Sequence, residues 1–315
     1  MKKIGVVGSI NMDMTVKAER IPLKGETVKG EDLKYIPGGK GANQAVAMAK
    51  LGANVEMFGC VGDDSAGISL VENLRDVGAE TKCVKTIHGI PTGLAMITVG
   101  ENDNTIVVVA GTNDCVDIAY IDEIKEELLK CEIVLLQHEI PQKTIEYVVD
   151  LCYENDVKVV LNPGPARPVK KEVLDKVTYL TPNEHETVIL FGEEQSFEEL
   201  MKKYPEKLVI TQGSRGVSTC LKNGEVVLVP ARKVQVVDTT GAGDTLNGAF
   251  SVQIAEGKAI EDALAYANVA ASLSTEKFGA QTGMPTAEEV ETALKILNGE
   301  SVEKEIPVEM ELITK

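Results

Sequence analysis

The sequence predicts an α/β fold: a mainly parallel central sheet sandwiched by helices, with a second, small sheet set apart from it. Three observations carry this. Short runs of Val, Ile and Leu alternate with helix-length segments, the rhythm of βαβ units whose strands are covered on both faces. The rhythm fails in two places, 12–36 and 92–110, where strand-like segments follow one another with no helix between. The chain has 315 residues, enough for a large domain carrying a small one.

The elements follow in order. Ile4 to Gly8 reads as a buried strand, and a polar stretch from Asn11 to Tyr35 follows it, with a turn at Pro22-Leu23-Lys24-Gly25. Gly38-Gly39-Lys40-Gly41 leads into a small-residue helix over about 42–51, stopped by Gly52. A strand over 55–61 and a helix over 65–77, stopped by Gly78, continue the alternation. Thr92 to Val99 and Thr105 to Val109 read as two strands joined by a polar turn. The rhythm then returns: helix 117–130, strand 133–137, helix 142–155, strand 157–161, strand 177–181, helix 184–190 and strand 208–211. A hairpin (216–221 with 226–229) and helices over 243–256, 260–276 and 286–297 close the domain. Gly299 to Lys315 is acidic with alternating Ile306, Val308, Met310 and Leu312, and reads equally as an added edge strand or a frayed tail.

Composition narrows the function. Apolar residues make up 43% and charged residues 26%, ordinary globular values that argue against disorder. With no Trp, the core must rest on Val, Ile, Leu, Ala and Met. A net charge of −17 repels nucleic-acid phosphates and counts against DNA or RNA binding. A nucleotide is anionic too, so a site for one must override the global charge locally. Cys60, Cys83, Cys115, Cys131, Cys152 and Cys220 form no Cys-x-x-Cys pair, and His88, His138 and His185 stand at no ligand spacing. They read as free thiols in a reducing compartment. No leader-like start and no apolar stretch of spanning length is visible, so a cytoplasmic, soluble chain is expected.

Four segments carry chemistry. In Val237-Asp238-Thr239-Thr240-Gly241-Ala242-Gly243-Asp244 a glycine turn opens a helix, so backbone N–H groups of Gly241, Ala242 and Gly243 and the helix dipole can form an anion hole. Asp244 beside it can take a proton from an attacking hydroxyl, or merely cap the helix. Gly38-Gly39-Lys40-Gly41-Ala42-Asn43 permits close backbone approach to a ligand and offers an amide to sugar hydroxyls, or is a glycine turn feeding a packed helix. It is not a Walker A loop, and the first strand is followed by no dinucleotide fingerprint. Asn11 and Asp13 alternate on one side of an extended segment and can grip a diol, or form an Asn/Asp turn. Asn183 and Glu186 suit a hydrated Mg²⁺ and phosphate oxygens, or make a capping box.

Together these segments resemble the ribokinase-like sugar kinase family, from Ile4 to about Leu297. The resemblance implies an ATP-dependent kinase with a β-sheet lid from 12–36 and 92–110, which often forms a homodimer interface. Residues 1–11, 37–91 and 111–315 would form the catalytic domain. It implies that Asn11, Asp13, Gly39, Lys40, Asn43 and Glu139 hold the sugar and that Asp244 is the base. Asn183 and Glu186 would serve Mg²⁺ and phosphates, with Thr211, Gly213, Ser214, Gly216 and Gly243 along the ATP site and Asn268 near the adenine or ribose. Asp238, Thr240, Ser274, Lys277, Gly279 and Gly283 correspond to loops that bind an activating K⁺. Gly283 stands where the family usually has a hydroxyl residue, and the chain after Leu297 is longer than the family's. The expected reaction is transfer of the γ-phosphoryl group of ATP to a sugar hydroxyl, O5 for D-ribose. A same-fold kinase for another sugar or a nucleoside, and a sensor without turnover, remain as alternatives.

Overall fold

The computed structural model describes residues 2–299 apart from 102. The readings of the tail given above fall on residues outside this range, Gly299 apart. The chain opens with β1 (Lys3–Val7), β2 (Asn11–Ala18) and β3 (Gly30–Gly38), then α1 (Lys40–Lys50), β4 (Asn54–Gly62) and α2 (Ser65–Asp76). β5 (Val84–Ile87), β6 (Gly93–Gly100) and β7 (Asp103–Val109) precede α3 (Ile118–Leu128) and β8 (Ile133–Gln137). Next come α4 (Gln142–Glu154), β9 (Lys158–Asn162), α5 (Lys171–Lys176), β10 (Tyr179–Leu180), α6 (Glu184–Phe191) and α7 (Phe197–Lys203). β11 (Val209–Thr211), β12 (Val217–Cys220) and β13 (Val226–Val229) lead to α8 (Ala242–Ala255), α9 (Ile260–Ser274), α10 (Ala280–Gly283) and α11 (Ala287–Leu297).

The central sheet has the order β10-β9-β8-β1-β4-β5, and every pairing in it is parallel. Alternation along its strands divides the core. Ile4, Val6, Ile133 and Leu135 face α1, α8 and α9, where Met48, Leu246, Phe250 and Leu264 are buried. Val7, Val134 and Leu136 face α3 and α4, against Tyr120, Ile121, Val148 and Val149. Each fully buried aliphatic side chain contributes about 1.5–3 kcal/mol, so these two layers hold the strand ends in fixed relation. β11 extends beyond β10 through parallel bridges at Leu180–Leu208 and Asn183–Thr211, and β12 and β13 add antiparallel to it.

A separate four-stranded sheet has the order β3-β2-β6-β7. Its β2–β6 pairing is parallel, and the two outer pairings are antiparallel. Leu33, Tyr35, Met96 and Ile106 to Val109 on this sheet are exposed.

Four short elements escape the sequence reading: β5, α5, α7 and α10. Each is too short to show a hydrophobic period. α7 did carry a signal, a capping box in which Ser196 and Glu199 hold each other's backbone N–H. Cys60, Cys131, Cys152 and Cys220 are buried thiols, and Cys83 and Cys115 are half-buried. Among the described residues no helix is long and apolar enough to cross a membrane.

Candidate active site

The functional segments meet where parallel strands end, as expected of an open α/β sheet. The loop after β1 lies directly on the first turn of α1. Ala42 donates its N–H to Ser9 O at 2.9 Å. A Cβ on Gly41 would stand 2.6 Å from Ser9 N and 2.7 Å from Ser9 O, so only glycine allows this contact. Gly39, with φ of 85°, turns the chain from β3 into α1. Further along, a Cβ on Gly248 would sit 2.9 Å from Ala47 Cβ, so α8 also packs closely on α1.

That packing brings Asp244 to Asn43 and Gln44. Gly241 (φ 77°) turns the chain into α8, and Asp244 sits in the first turn, 6% exposed. Its Oδ2 accepts from Asn43 Nδ2 at 3.0 Å and its Oδ1 from Gln44 Nε2 at 3.0 Å. The carboxylate therefore binds side chains of another helix and does not cap its own. Burial pushes its pKa up, Lys40 and the two amides pull it down, Glu139 pushes it up, and the net direction is upward. Beside it, Gly243 is exposed with open space at its Cβ position, and the N–H groups of Gly243 and Asp244 have no partner among the described residues. The N–H of Ala242 is engaged by Thr239 O at 3.2 Å and drops out of the set expected from 241 to 243, whereas the N–H of Gly241, like those of 243 and 244, has no partner among the described residues.

Charged groups crowd around this point. Glu139 Oε2 accepts from Ser9 Oγ at 2.5 Å and from Lys40 N at 2.9 Å. The Lys40 ammonium is held charged chiefly by Asp244, with help from Glu139 and Glu186 against the cost of burial. Asp13 is pushed up to about 6 by burial, then by the charges of Glu139 and Asp244. Asn11 is buried and accepts from Asn113 Nδ2 at 2.6 Å, which leaves its own amide N–H groups for a ligand. Asn43, read from sequence as a sugar ligand, has its Oδ1 engaged by Gln281 Nε2 at 2.9 Å as well as its Nδ2 on Asp244. Any sugar contact would use its second N–H.

Asn183 and Glu186 make the capping box, with both bonds at 2.8 Å. That engagement uses Glu186 Oε2 alone. Oε1 faces the 164 loop, 2.8 Å from where a Gly164 Cβ would stand, and Lys40 Nζ lies 3.4 Å from the same point. A free carboxylate oxygen beside a lysine fits a metal reached through water. Thr211 N donates to Pro182 O, joining the Asn183 turn to the Gly213–Arg215 turn, where Ser214 is exposed. Gly216 has φ of 111°, and a Cβ there would meet Val229 O. Asn268 is buried and spends its Nδ2 on Val229 O at 3.0 Å and Pro230 O at 2.8 Å. It thus anchors the chain after β13.

Asp238 ties two loops together. Its Oδ1 accepts from Thr240 N and Oγ1, and its Oδ2 from Gly279 N at 2.9 Å. The Ser274 and Lys277 carbonyl oxygens lie 2.5 and 3.4 Å from where a Gly283 Cβ would be. Glycine at 283 thus lets two backbone carbonyls approach α10 closely, and carbonyl oxygens are the donor type a monovalent cation takes. The Lys277 ammonium turns away to Glu289 at 3.0 Å.

With this geometry in place, the family model for pfkB family carbohydrate kinase matches residues 1–287. The chain belongs to the pfkB carbohydrate kinase family. A ribokinase of Bacillus subtilis is 50% identical over 294 residues, 93% of this chain and 100% of that protein. A Lactococcus lactis ribokinase is 45% identical, with 94% and 98% covered. The solved structure of Arabidopsis thaliana ribokinase complexed with ribose and ATP superposes with a TM-score of 0.87 at 34% identity, covering 93% of this chain and 99% of that one. As a family member, the chain is an ATP-dependent sugar kinase. The reading from sequence assigned no role to Ser9, Gln44, Asn113, Gln137, Asn162 or Gln281. Ser9 and Gln44 adjoin the Asn11 and Asn43 positions already singled out, whereas the others are lone polar residues that only the fold gathers.

Proposed function

We propose that the chain transfers the γ-phosphoryl group of ATP to O5 of D-ribose, with Asp244 as general base. The observation that carries this is the buried Asp244 carboxylate, bound by two amides beside the unpartnered N–H groups of 243 and 244. Ribokinase relatives at 50% and 45% identity support ribose as the sugar. In the proposed step the O5 proton passes to the Asp244 carboxylate. O5 forms a bond to the γ-phosphorus as the bond from that phosphorus to the β,γ-bridging oxygen breaks, and ADP leaves with that electron pair. Backbone N–H groups at the head of α8 and the Lys40 ammonium meet the charge that develops. Asn11, Asp13, Gly39, Asn43 and Glu139 orient the sugar. Asn183, Glu186, Thr211, Gly213, Ser214 and Gly216 border the nucleotide, with Asn268 behind it.

Glu186 would hold Mg²⁺ through water, and that ion would neutralise phosphate charge. Asp238, Thr240, Ser274, Lys277, Gly279 and Gly283 would hold K⁺, mainly through carbonyls, and the ion would fix the two loops beside Gly241. Segments 12–36 and 92–110 act as a lid that excludes water when closed, over a catalytic domain of 1–11, 37–91 and 111–315. The lid also pairs two copies into a dimer, and the enzyme works in the cytoplasm.

Asp244→Asn tests the reading. Turnover is expected to fall about 10²–10⁴-fold while ATP affinity is retained. A coupled ADP-release assay over pentoses, hexoses and nucleosides, with and without K⁺, measures it and ranks the substrates. Turnover at the unsubstituted rate would remove Asp244 from the role of base.

A further inference from the structure

Asp244 lies within a chain of side-chain amides. Outward from its Oδ2, Asn43 Nδ2 donates at 3.0 Å, Gln281 Nε2 donates to Asn43 Oδ1 at 2.9 Å, and Asn73 Nδ2 donates to Gln281 Oε1 at 2.8 Å. Asn43 and Gln281 are buried, and Asn73 is half-buried on α2. An ionised carboxylate only accepts, so it dictates the direction of every member. Asn43 must turn its NH₂ inward and its carbonyl outward. That carbonyl needs a donor, so Gln281 must also turn its NH₂ inward, and its own carbonyl then calls for the Asn73 NH₂. Lys50 Nζ donates to the backbone oxygens of Gln281 and Met284 at 2.7 and 3.1 Å, which pins α10 in place. On the other oxygen the same logic runs through Gln44 to Gln137, at 3.0 and 2.6 Å.

We propose that Gln281 and Asn73 are positioning residues for phosphoryl transfer: through Asn43 they keep a donor, never an acceptor, against the Asp244 carboxylate. The proposal rests on Asp244 being the base. The groups facing that carboxylate are Lys40 and the two amides from α1, Glu139 after β8 and, beyond it, Asp13 from β2. Burial, Glu139 and Asp13 favour its proton, while Lys40 and the amides oppose it. Reversing the relay would convert one opposing amide into a carbonyl aimed at a carboxylate. The base would then take up its proton at higher pH.

Asn73→Asp reverses it from outside the site. Aspartate is nearly the same shape but only accepts, so the chain then has an acceptor at each end, and the reversed arrangement, with the Gln281 NH₂ outward and the Asn43 oxygen inward, is satisfied when Asp244 carries a proton and donates it to that oxygen. The acid limb of kcat against pH, read at saturating sugar so that titration of Asp13 does not set it, is expected to move up by about one unit. Just below that limb the loss is roughly tenfold, and it shrinks toward the alkaline plateau. Ser69→Asp, an exposed site on α2, adds the same charge outside the relay and is expected to leave the limb in place. Gln281→Leu removes the inward donor and is expected to shift the limb the same way. Should it fail to fold, Asn73→Asp decides alone. A limb that coincides with that of the unsubstituted enzyme, a shift matched by Ser69→Asp, or a uniform loss at all pH values with a lowered Tm overturns the relay. If Asp244→Asn keeps its turnover, the assignment of the base fails and takes the relay's role in phosphoryl transfer with it; if Asp244→Asn loses its turnover while Asn73→Asp leaves the limb unmoved, the relay alone fails.

Discussion

Single side chains set the chemistry of the cleft, and Asp13 shows the cost of assembling it. Its carboxyl is raised from 3.8 to about 6, first by burial and then by Glu139 and Asp244. A carboxyl whose pKa is raised on folding adds stability fully below its unfolded value and loses that stability as pH rises through the folded value. Above about pH 6 the ionised Asp13 therefore destabilises the fold. Asp13→Asn is expected to gain about 1–3 kcal/mol at pH 8, with the gain vanishing below the ordinary 3.8, in urea denaturation across pH. Sugar KM should rise sharply in the same variant, since the amide replaces an acceptor. No gain at pH 8 would mean that the charges around Asp13 are already compensated. Some of these roles were visible in residue type and spacing. Asp244 stood after a glycine turn at a helix start, and Asn11 and Asp13 alternated on one strand. Gln44 stood next to Asn43 with nothing to mark its partner, and the amide of Gln281 was not visible, because an isolated glutamine carries no spacing signal and its partner lies far along the chain.

Elements place those side chains, and the contact of the β1–β2 loop with α1 is the tightest control. The Cβ of Gly41→Ala would meet backbone atoms of Gly8 and Ser9 at 2.6–2.7 Å, and backbone cannot swing aside as a flexible side chain can. The loop must retreat and carry Asn11 with it. A loss of about 1–3 kcal/mol is expected from overpacking, together with weaker sugar binding, read by denaturation and by KM. An unchanged KM would separate the loop from the sugar site. The buried strands were legible as short unbroken runs of Val, Ile and Leu, and the longer helices as the helix-length segments between them, several closed by a glycine. α5, α7 and α10 span too few turns to show one, and β5 has four residues. Asn183 and Glu186 illustrate a different limit. The sequence offered a capping box or a phosphate site, and the structure forms the capping box with one carboxylate oxygen while leaving the other toward Lys40.

For the whole molecule the exposed sheet matters most. Leu33 and Tyr35 on β3, Met96 on β6 and Ile106 to Val109 on β7 present exposed apolar side chains on a sheet whose outer strands β3 and β7 are open edges, a surface that monomeric proteins rarely leave uncovered. If it pairs two copies, as proposed, Val107→Lys is expected to convert a dimer into a monomer in light scattering. A monomeric unsubstituted chain would refute the pairing. The α/β rhythm, its two interruptions, the acidic balance and the glycine turns were written in the sequence, because each depends on near neighbours in the chain. The tertiary structure alone decided that Asn43 and Gln44 meet Asp244 and that Gln281 and Asn73 continue the chain behind Asn43. Hydrogen bonds of that kind join residues some two hundred positions apart, and such distances are closed by helix packing on a sheet, not by local pattern.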